Sequence, residues 1–493
     1  MSTTYISTRG NAPAVNAAEA LLNGIAPDGG LYVPENLPAP GSFTEKLHGE
    51  GSFATTLGGL LALFFDAVPA AVRDAAVRRS LARFSAPEIV PLRSFGNTHF
   101  LELFHGPTFA FKDVALTLLP LLLQFSVKNA GLDRAAILTA TSGDTGSAAM
   151  SGFAGVAGTE VLVFYPQSGT SEIQRRQMVC CAGDNVHACA IEGNFDDAQN
   201  GVKAAFADAR LRAAAAEKRV FLSSANSINI GRLFPQISYY LDAWRRLGTA
   251  GALDRSGVFD VVVPTGNFGN ILAANFAKKL GAPIRRLVAA SNKNRVIADF
   301  IATGTYESRR EFFVTNSPSM DILVSSNVER LLYELCGNDA ARVRSLMISL
   351  KNDGAFTLAT DELARLQENF ACGSATPAET ETAIAEIYRE TGFLADPHTA
   401  VGWKVLKDLR SRDGDDGVPT LIAATASPWK FPTTMLRALT GTCGADDFEN
   451  LRALAAFTHE PPTLAELEHA PILHTAHCAR DGVPGAVRDI FRL

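Results

Sequence analysis

Ala136-Ile137-Leu138-Thr139-Ala140-Thr141-Ser142-Gly143-Asp144-Thr145-Gly146 is the stretch whose reading decides the fold. Its first five residues are a short, mostly apolar run that suits a buried strand. A glycine-bearing turn follows, and a helix is predicted from about Thr145. The same strand–turn–helix unit recurs downstream. Residues 160–165 read as a strand with a helix from Ser171, and 186–191 as a strand before a helix over 197–212. A short strand at 220–222 precedes a helix over 230–247, a strand at 259–263 precedes a helix over 271–280, and 287–290 is the next strand. Strands separated by helices at this spacing imply right-handed βαβ units and parallel pairing. Thr420–Ala424 is a late strand able to return to such a sheet, whereas residues from about 320 to 415 read as helical with a charged surface.

Upstream, residues 1–95 read as a mostly helical front section punctuated by Pro27, Pro34, Pro38 and Pro40. At roughly 100–200 residues per domain, 493 residues imply two to four domains. Apolar residues make up 47% and charged residues 19%, a globular composition. The net charge of −6 is spread along the chain, and no Lys/Arg run points to nucleic acid or an anionic membrane. The greasiest stretches are too short or too interrupted to span a bilayer. No signal peptide is legible at the start. Seven cysteines, odd in number and without a Cys-x-x-Cys pair, fit reduced thiols better than disulfides or a zinc ribbon. These features predict a cytoplasmic protein.

Four segments carry chemistry. In Phe104-His105-Gly106-Pro107-Thr108-Phe109-Ala110-Phe111-Lys112-Asp113, a lysine sits among aromatics beside a Gly-Pro turn. Desolvation would lower its pKa and free its amine to attack a carbonyl. Taken alone, it reads more readily as a surface lysine with its stem laid on Phe109 and Phe111, since an isolated short motif is weak evidence. Thr141-Ser142-Gly143-Asp144-Thr145-Gly146 offers hydroxyls and backbone N–H groups at a helix start, which suits a carboxylate or phosphate; it also reads as a helix cap. Pro264-Thr265-Gly266-Asn267-Phe268-Gly269-Asn270 lacks both the dinucleotide and the P-loop spacing, so it suits a single phosphate monoester. Ser223-Ser224-Ala225-Asn226-Ser227-Ile228-Asn229-Ile230-Gly231-Arg232 is dense in donors and ends in a planar cationic fork; alone it reads as a capped helix start. No His-Glu-x-x-His or carboxylate cluster calls for a metal, and no Gly-x-Ser-x-Gly elbow for a serine nucleophile. Together, a lysine among aromatics, a carboxylate loop and a separate phosphate loop are what an amino acid joined to pyridoxal 5'-phosphate requires.

On these motifs the chain resembles the threonine synthases, within the parallel-sheet (fold-type-II) class of pyridoxal-phosphate enzymes. The resemblance covers nearly the whole chain, from Tyr5-Ile6-Ser7-Thr8-Arg9-Gly10 and Ala26-Pro27-Asp28-Gly29-Gly30-Leu31-Tyr32 to Asp396-Pro397-His398. The Ser-Gly-Asp-Thr-Gly form is similar to the branch without an S-adenosylmethionine-regulated extension. The resemblance implies an α/β fold with two parallel-sheet βαβ domains behind the front section. Residues 96–114 and 226–493 would form a large cofactor-binding domain, and 115–225 a smaller mobile substrate-binding domain.

It further implies Lys112 as Schiff-base lysine and proton shuttle, and Gly266, Asn267, Phe268, Gly269 and Asn270 as holders of the cofactor phosphate. Thr425 would sit near the pyridine nitrogen. Ser142, Gly143, Asp144 and Thr145 would face the substrate carboxylate or the ring edge. Asn226, Ser227 and Arg232, with Thr141, would take the substrate's phosphate. The implied reaction converts O-phospho-L-homoserine and water to L-threonine and phosphate, the last step of threonine biosynthesis, in a monomer or homodimer. One departure is visible. The family usually carries a histidine two residues after the threonine, and here the run is Thr425-Ala426-Ser427-Pro428-Trp429-Lys430-Phe431. The alternatives are a phosphate-eliminating lyase on the same fold and a non-catalytic relative that binds pyridoxal phosphate.

Overall fold

The computed structural model describes residues 3–47, 51–167, 170–253, 257–458 and 462–493. Two sheets organise them. The larger has six strands in the order Phe370–Ser374, Ile284–Ser291, Phe259–Pro264, Thr420–Ala424, Thr98–Glu102 and Leu92–Phe95. All neighbours are parallel except the last pair, a hairpin closed by Gly96 at positive φ. The late strand thus lies in mid-sheet, with Val262 of one neighbour beside Ile422 and Phe100 of the other beside the same residue. Both faces of these central strands are covered, which is why they read as unbroken apolar runs.

The smaller sheet has five parallel strands in the order Ala476–Cys478, Val186–Ile191, Thr159–Pro166, Arg134–Ala140 and Val220–Ser224. Segment 115–225 supplies four of them. The fifth comes from the far end of the chain, whose final helix Val483–Phe491 packs on helix Phe195–Ala207 through Val483, Val487 and Phe491.

Local chemistry refines the expected helices. Pro235 breaks the one over 230–247 into Ile230–Leu233, a 3₁₀ turn and Ile237–Thr249, because proline has no N–H for the ladder. Asp208 ends one helix and caps the next, splitting 197–212. Edge strand Phe370–Ser374 lies within a region expected to be helical; Ala, Cys, Gly and Ser give it little β-propensity, and pairing with Ile284–Ser291 decides its state. The front section contains helices Ala17–Asn23, Phe53–Phe64 and Ala70–Leu81 together with a three-stranded antiparallel sheet. It shares a core with both larger sheets. Phe64 stacks on Phe234 with ring centroids 4.1 Å apart, and the Tyr5 hydroxyl donates to the Phe64 carbonyl.

Candidate active site

Parallel strands place their carboxyl ends together, and loops there form a crevice for ligands. Here the strands ending at Ala140, Ser224, Pro264 and Ala424 deliver Thr141, Asn226, Thr265 and Thr425 to one cavity. Lys112 enters it from the start of helix Asp113–Asn129. Two sets of contacts fix the segment before that helix. Thr108 donates from its N–H and hydroxyl to the Asp113 carboxylate at 2.9 and 2.5 Å. Phe111 N–H donates to the Thr425 carbonyl at 2.8 Å, beside a bridge between Ala110 and Ala426. Phe109 holds a left-handed backbone at φ 60, a cost that its surroundings must sustain.

The Lys112 amine is buried and meets the Asp144 carboxylate at 3.0 Å. Burial pushes the lysine's pKa down; Asp144 opposes this, while Lys430 and Arg232 push the same way as burial. Asp144 is the first residue of helix Asp144–Phe153 and also accepts from Gln174 Nε2 at 2.8 Å and Ser319 Oγ at 2.7 Å. Its second ion pair is with Lys430, fully buried, at 2.6 Å. Burial alone would raise this carboxyl's pKa, but the two lysines hold it well below the usual range.

Around this pair, the expected residues lie as follows. The Ser142 and Thr145 hydroxyls are half-buried on the cavity wall. Thr141 Oγ accepts the N–H groups of Gly143 and Gly146, both at 2.9 Å, which shapes the turn and leaves its own proton to donate. Gly143, at φ 145, lies behind the wall, and a side chain there would meet Gln174. Asn226 is held by its Nδ2 on the Ala140 carbonyl at 3.1 Å, and Ser227 bonds Ser326 at 3.2 Å. Arg232 is 2% exposed, with Nη1 on the Ala225 carbonyl at 2.6 Å and a buried Nε that has no partner among the described residues. Burial pushes its pKa down to about 10.

The loop from Gly266 to Asn270 turns its carbonyls outward. Ser325 Oγ donates to the Gly266 carbonyl at 2.7 Å, and Asn327 N and Nδ2 donate to that of Asn267 at 3.2 and 3.1 Å. Phe268 is left-handed at φ 62, and no side chain caps the helix Gly269–Lys279 that follows. Such a turn aims successive N–H groups at one point, a concavity that fits a phosphate. At Gly266 an added Cβ would stand 3.0 Å from the Ser319 carbonyl and 3.2 Å from the Met320 Cα, so the close approach of that loop favours glycine. The Asn270 side chain is tied to Tyr240 and to Gln236, the latter at 3.1 Å. With a buried amine, an anion nest and a second, cationic anion site, the residues present fit pyridoxal phosphate and a phosphorylated amino acid.

Sequence reasoning left several participants without a role. Lys430 and Ser319 carried no motif. Asp396-Pro397-His398 was legible as a helix start, and Asp396 does cap helix Pro397–Asp413. It also holds His398 Nδ1 at 2.7 Å, while His398 Nε2 accepts the Ser319 N–H at 3.1 Å, an arrangement that puts the ring proton on Nδ1. Ser427 and Trp429, the visible departures, line a different cavity behind the Ala110–Ala426 bridge, with Phe109 and Phe393.

The chain matches known proteins over nearly its whole length. Residues 96–422 match the family model of pyridoxal-phosphate dependent enzymes. Residues 4–81 match that of the threonine synthase N terminus, and 399–477 that of the threonine synthase C-terminal region. Threonine synthase of Pseudomonas aeruginosa is 41% identical over 448 residues, covering 90% of this chain and 91% of that protein. The pyridoxal-phosphate-bound threonine synthase from Brucella melitensis superposes with a TM-score of 0.86 at 38% identity, covering 100% of both chains. Threonine synthase from yeast gives 0.88 at 32% identity, covering 100% of this chain and 98% of its own. Matched in sequence and in fold across nearly its whole length, the chain belongs to the threonine synthase family of pyridoxal-phosphate-dependent enzymes.

Proposed function

We propose that this enzyme converts O-phospho-L-homoserine and water to L-threonine and phosphate, with Lys112 as the residue that carries the cofactor. The observation that carries the reading is the buried Lys112 amine between two separate anion sites, the turn at 266–270 and the Arg232 guanidinium. Bound at Lys112, pyridoxal phosphate supplies an electron sink that acidifies carbon next to an attached amino group. The N–H groups of Gly266, Asn267, Phe268, Gly269 and Asn270 would hold its phosphate, and the Thr425 hydroxyl would serve its ring nitrogen. Asp144, pinned by Lys430, Gln174 and Ser319, would serve the ring edge. Ser142 and Thr145, on the turn made by Gly143, receive the substrate carboxylate. Arg232, Asn226, Ser227 and the Thr141 hydroxyl receive the substrate's phosphate, where the partnerless buried Nε of Arg232 gains a charged acceptor.

The proton balance then falls to Lys112. In the overall change the substrate's Cα loses and regains a proton, Cβ loses one and Cγ gains one, as the Cγ–O bond breaks and water adds at Cβ. Lys112 is the amine in the cavity that can carry these protons between neighbouring carbons. The cytoplasm is the compartment that suits seven unpaired cysteines.

Product analysis tests the reading. Purified protein mixed with O-phosphohomoserine should release phosphate and L-threonine in equal amounts. A keto acid with ammonia would identify a phosphate-eliminating lyase instead, and no turnover by cofactor-loaded protein would identify a binding relative.

A further inference from the structure

We infer that Lys430 is a positioning residue for cofactor attachment: its fixed positive charge, set on the carboxylate that Lys112 also meets, shares Asp144 between two cations and so leaves the Lys112 amine free to react at neutral pH. The inference rests on Lys112 as the attachment site, proposed above.

The geometry carries it. Lys430 is 0% exposed and its ammonium is fixed twice, on Asp144 Oδ1 at 2.6 Å and on the Thr108 carbonyl at 2.9 Å. Lys112 takes the other oxygen of the same carboxylate at the longer distance of 3.0 Å. Gln174 Nε2 and Ser319 Oγ use the remaining acceptor directions, so Asp144 is saturated from four sides. Without Lys430, a buried carboxylate would face Lys112 alone, and a plain ion pair keeps an amine protonated. A protonated amine has no lone pair to offer.

Other charged groups bear on the same amine. Arg232, from helix Ile230–Leu233, adds positive charge, and the Phe111 ring lies with its centroid 4.6 Å from Nζ. Asp113, next in sequence, is turned away to Thr108. His398, from helix Pro397–Asp413, is engaged by Asp396 and the Ser319 N–H. Among these, Lys430 is the cation that touches Asp144 directly alongside Lys112. In attachment, the lone pair of the neutral Lys112 amine attacks the cofactor's aldehyde carbon. A C=N bond forms, and the amine's two protons leave with the carbonyl oxygen as water.

The test is the pH dependence of attachment in full-length protein stripped of cofactor. Pyridoxal phosphate is added, borohydride fixes the bound fraction at set times, and the Lys112 peptide is quantified. Removing a like charge at this range shifts a titration by about one unit or more. Lys430→Met should therefore move the rate profile about one unit to higher pH, attaching roughly tenfold more slowly at neutral pH and approaching the wild-type rate at high pH. Lys430→Arg should keep the wild-type profile, and Asp144→Asn should move it to lower pH. An unmoved profile in Lys430→Met, an equal shift in Lys430→Arg, or an unmoved or raised profile in Asp144→Asn would each overturn the inference. If Lys430→Met does not fold, the Arg and Asn variants decide. Absence of label on Lys112 in the wild type would instead sink the attachment site itself.

Discussion

Asp144 accepts from two lysines, an amide and a hydroxyl, and so holds the site's charge together at a single side chain. Its folded pKa lies below that of an unfolded aspartate, about 3.9. A carboxylate depressed in this way contributes stability that is present above the unfolded pKa and is lost as pH falls through the folded one. Asp144→Asn should therefore cost about 3 kcal/mol at neutral pH, since it leaves the buried Lys430 ammonium uncompensated. Urea unfolding should show that cost steady between pH 5 and 7 and shrinking below about pH 4; a cost unchanged down to pH 3 would refute the assignment. Arg232 behaves differently, since its Nε has no partner among the described residues. A hydrogen bond to a charged group is worth about 1.5–3 kcal/mol, so Arg232→Ala should lower kcat/KM for the phosphorylated substrate by roughly one to two decades. Cofactor content should stay intact; loss of bound pyridoxal phosphate with normal turnover per cofactor would place Arg232 in the cofactor site instead.

Two helices set the distance between Lys112 and Asp144. One, Asp113–Asn129, starts immediately after Lys112, and the other, Asp144–Phe153, starts at Asp144. They pack closely at Gly152, where an added Cβ would lie 2.0 Å from the Leu116 carbonyl oxygen. The obstacle is backbone and cannot swing aside. Gly152→Ala should therefore destabilise the protein by about 1–3 kcal/mol, toward the upper end, by overpacking. It should also disturb the Lys112–Asp144 contact, since Leu116 lies one turn from Lys112 and Asp144 opens the helix that ends beside Gly152. Thermal unfolding reads the first effect and the pH profile of cofactor attachment the second. A variant unchanged in both would mean that the helices can separate freely. The left-handed Phe268 has the corresponding role at the other wall of the cavity, since it curls the turn at 266–270 before the helix that follows.

At the scale of the molecule, Asp144 belongs to the smaller sheet's first loop, while Ser319, Lys430 and Lys112 reach it from segments attached to the larger sheet. A substrate with its carboxylate on one side and its amino group fixed on the other bridges the same gap. That gives a closed state the differential affinity which a ligand-driven shift requires. We expect a non-reactive phosphonate analogue to raise hydrogen-exchange protection in 139–155 and in 224–232 together. A response in one segment alone, or in neither at saturation, would leave two rigid sheets with mobile surface loops. The terminal helix Val483–Phe491 clasps the smaller sheet, so this unit draws on both middle and end of the chain.

The sequence by itself determined the alternation of buried strands and helices, the loops at 141–146 and 266–270, and the lysine that follows Phe111. These are local: periodicity, glycine and a cap residue state them within a dozen positions. Thr420–Ala424 was legible as a late strand able to return to the sheet, but its place between Phe259–Pro264 and Thr98–Glu102 was decided by the tertiary structure. Strand Phe370–Ser374 was not legible, because its residues take their state from the neighbour they pair with. The same holds for Ala476–Cys478, whose partner lies nearly three hundred residues away. The departures at Ser427 and Trp429 fell outside the Lys112 cavity because the Ala110–Ala426 bridge directs them behind it. Most of all, tertiary structure alone decided that Lys430 shares Asp144 with Lys112. A lysine's charge is written in the sequence, but the effect of that charge depends on separation and burial, and three segments brought together by two different sheets set both.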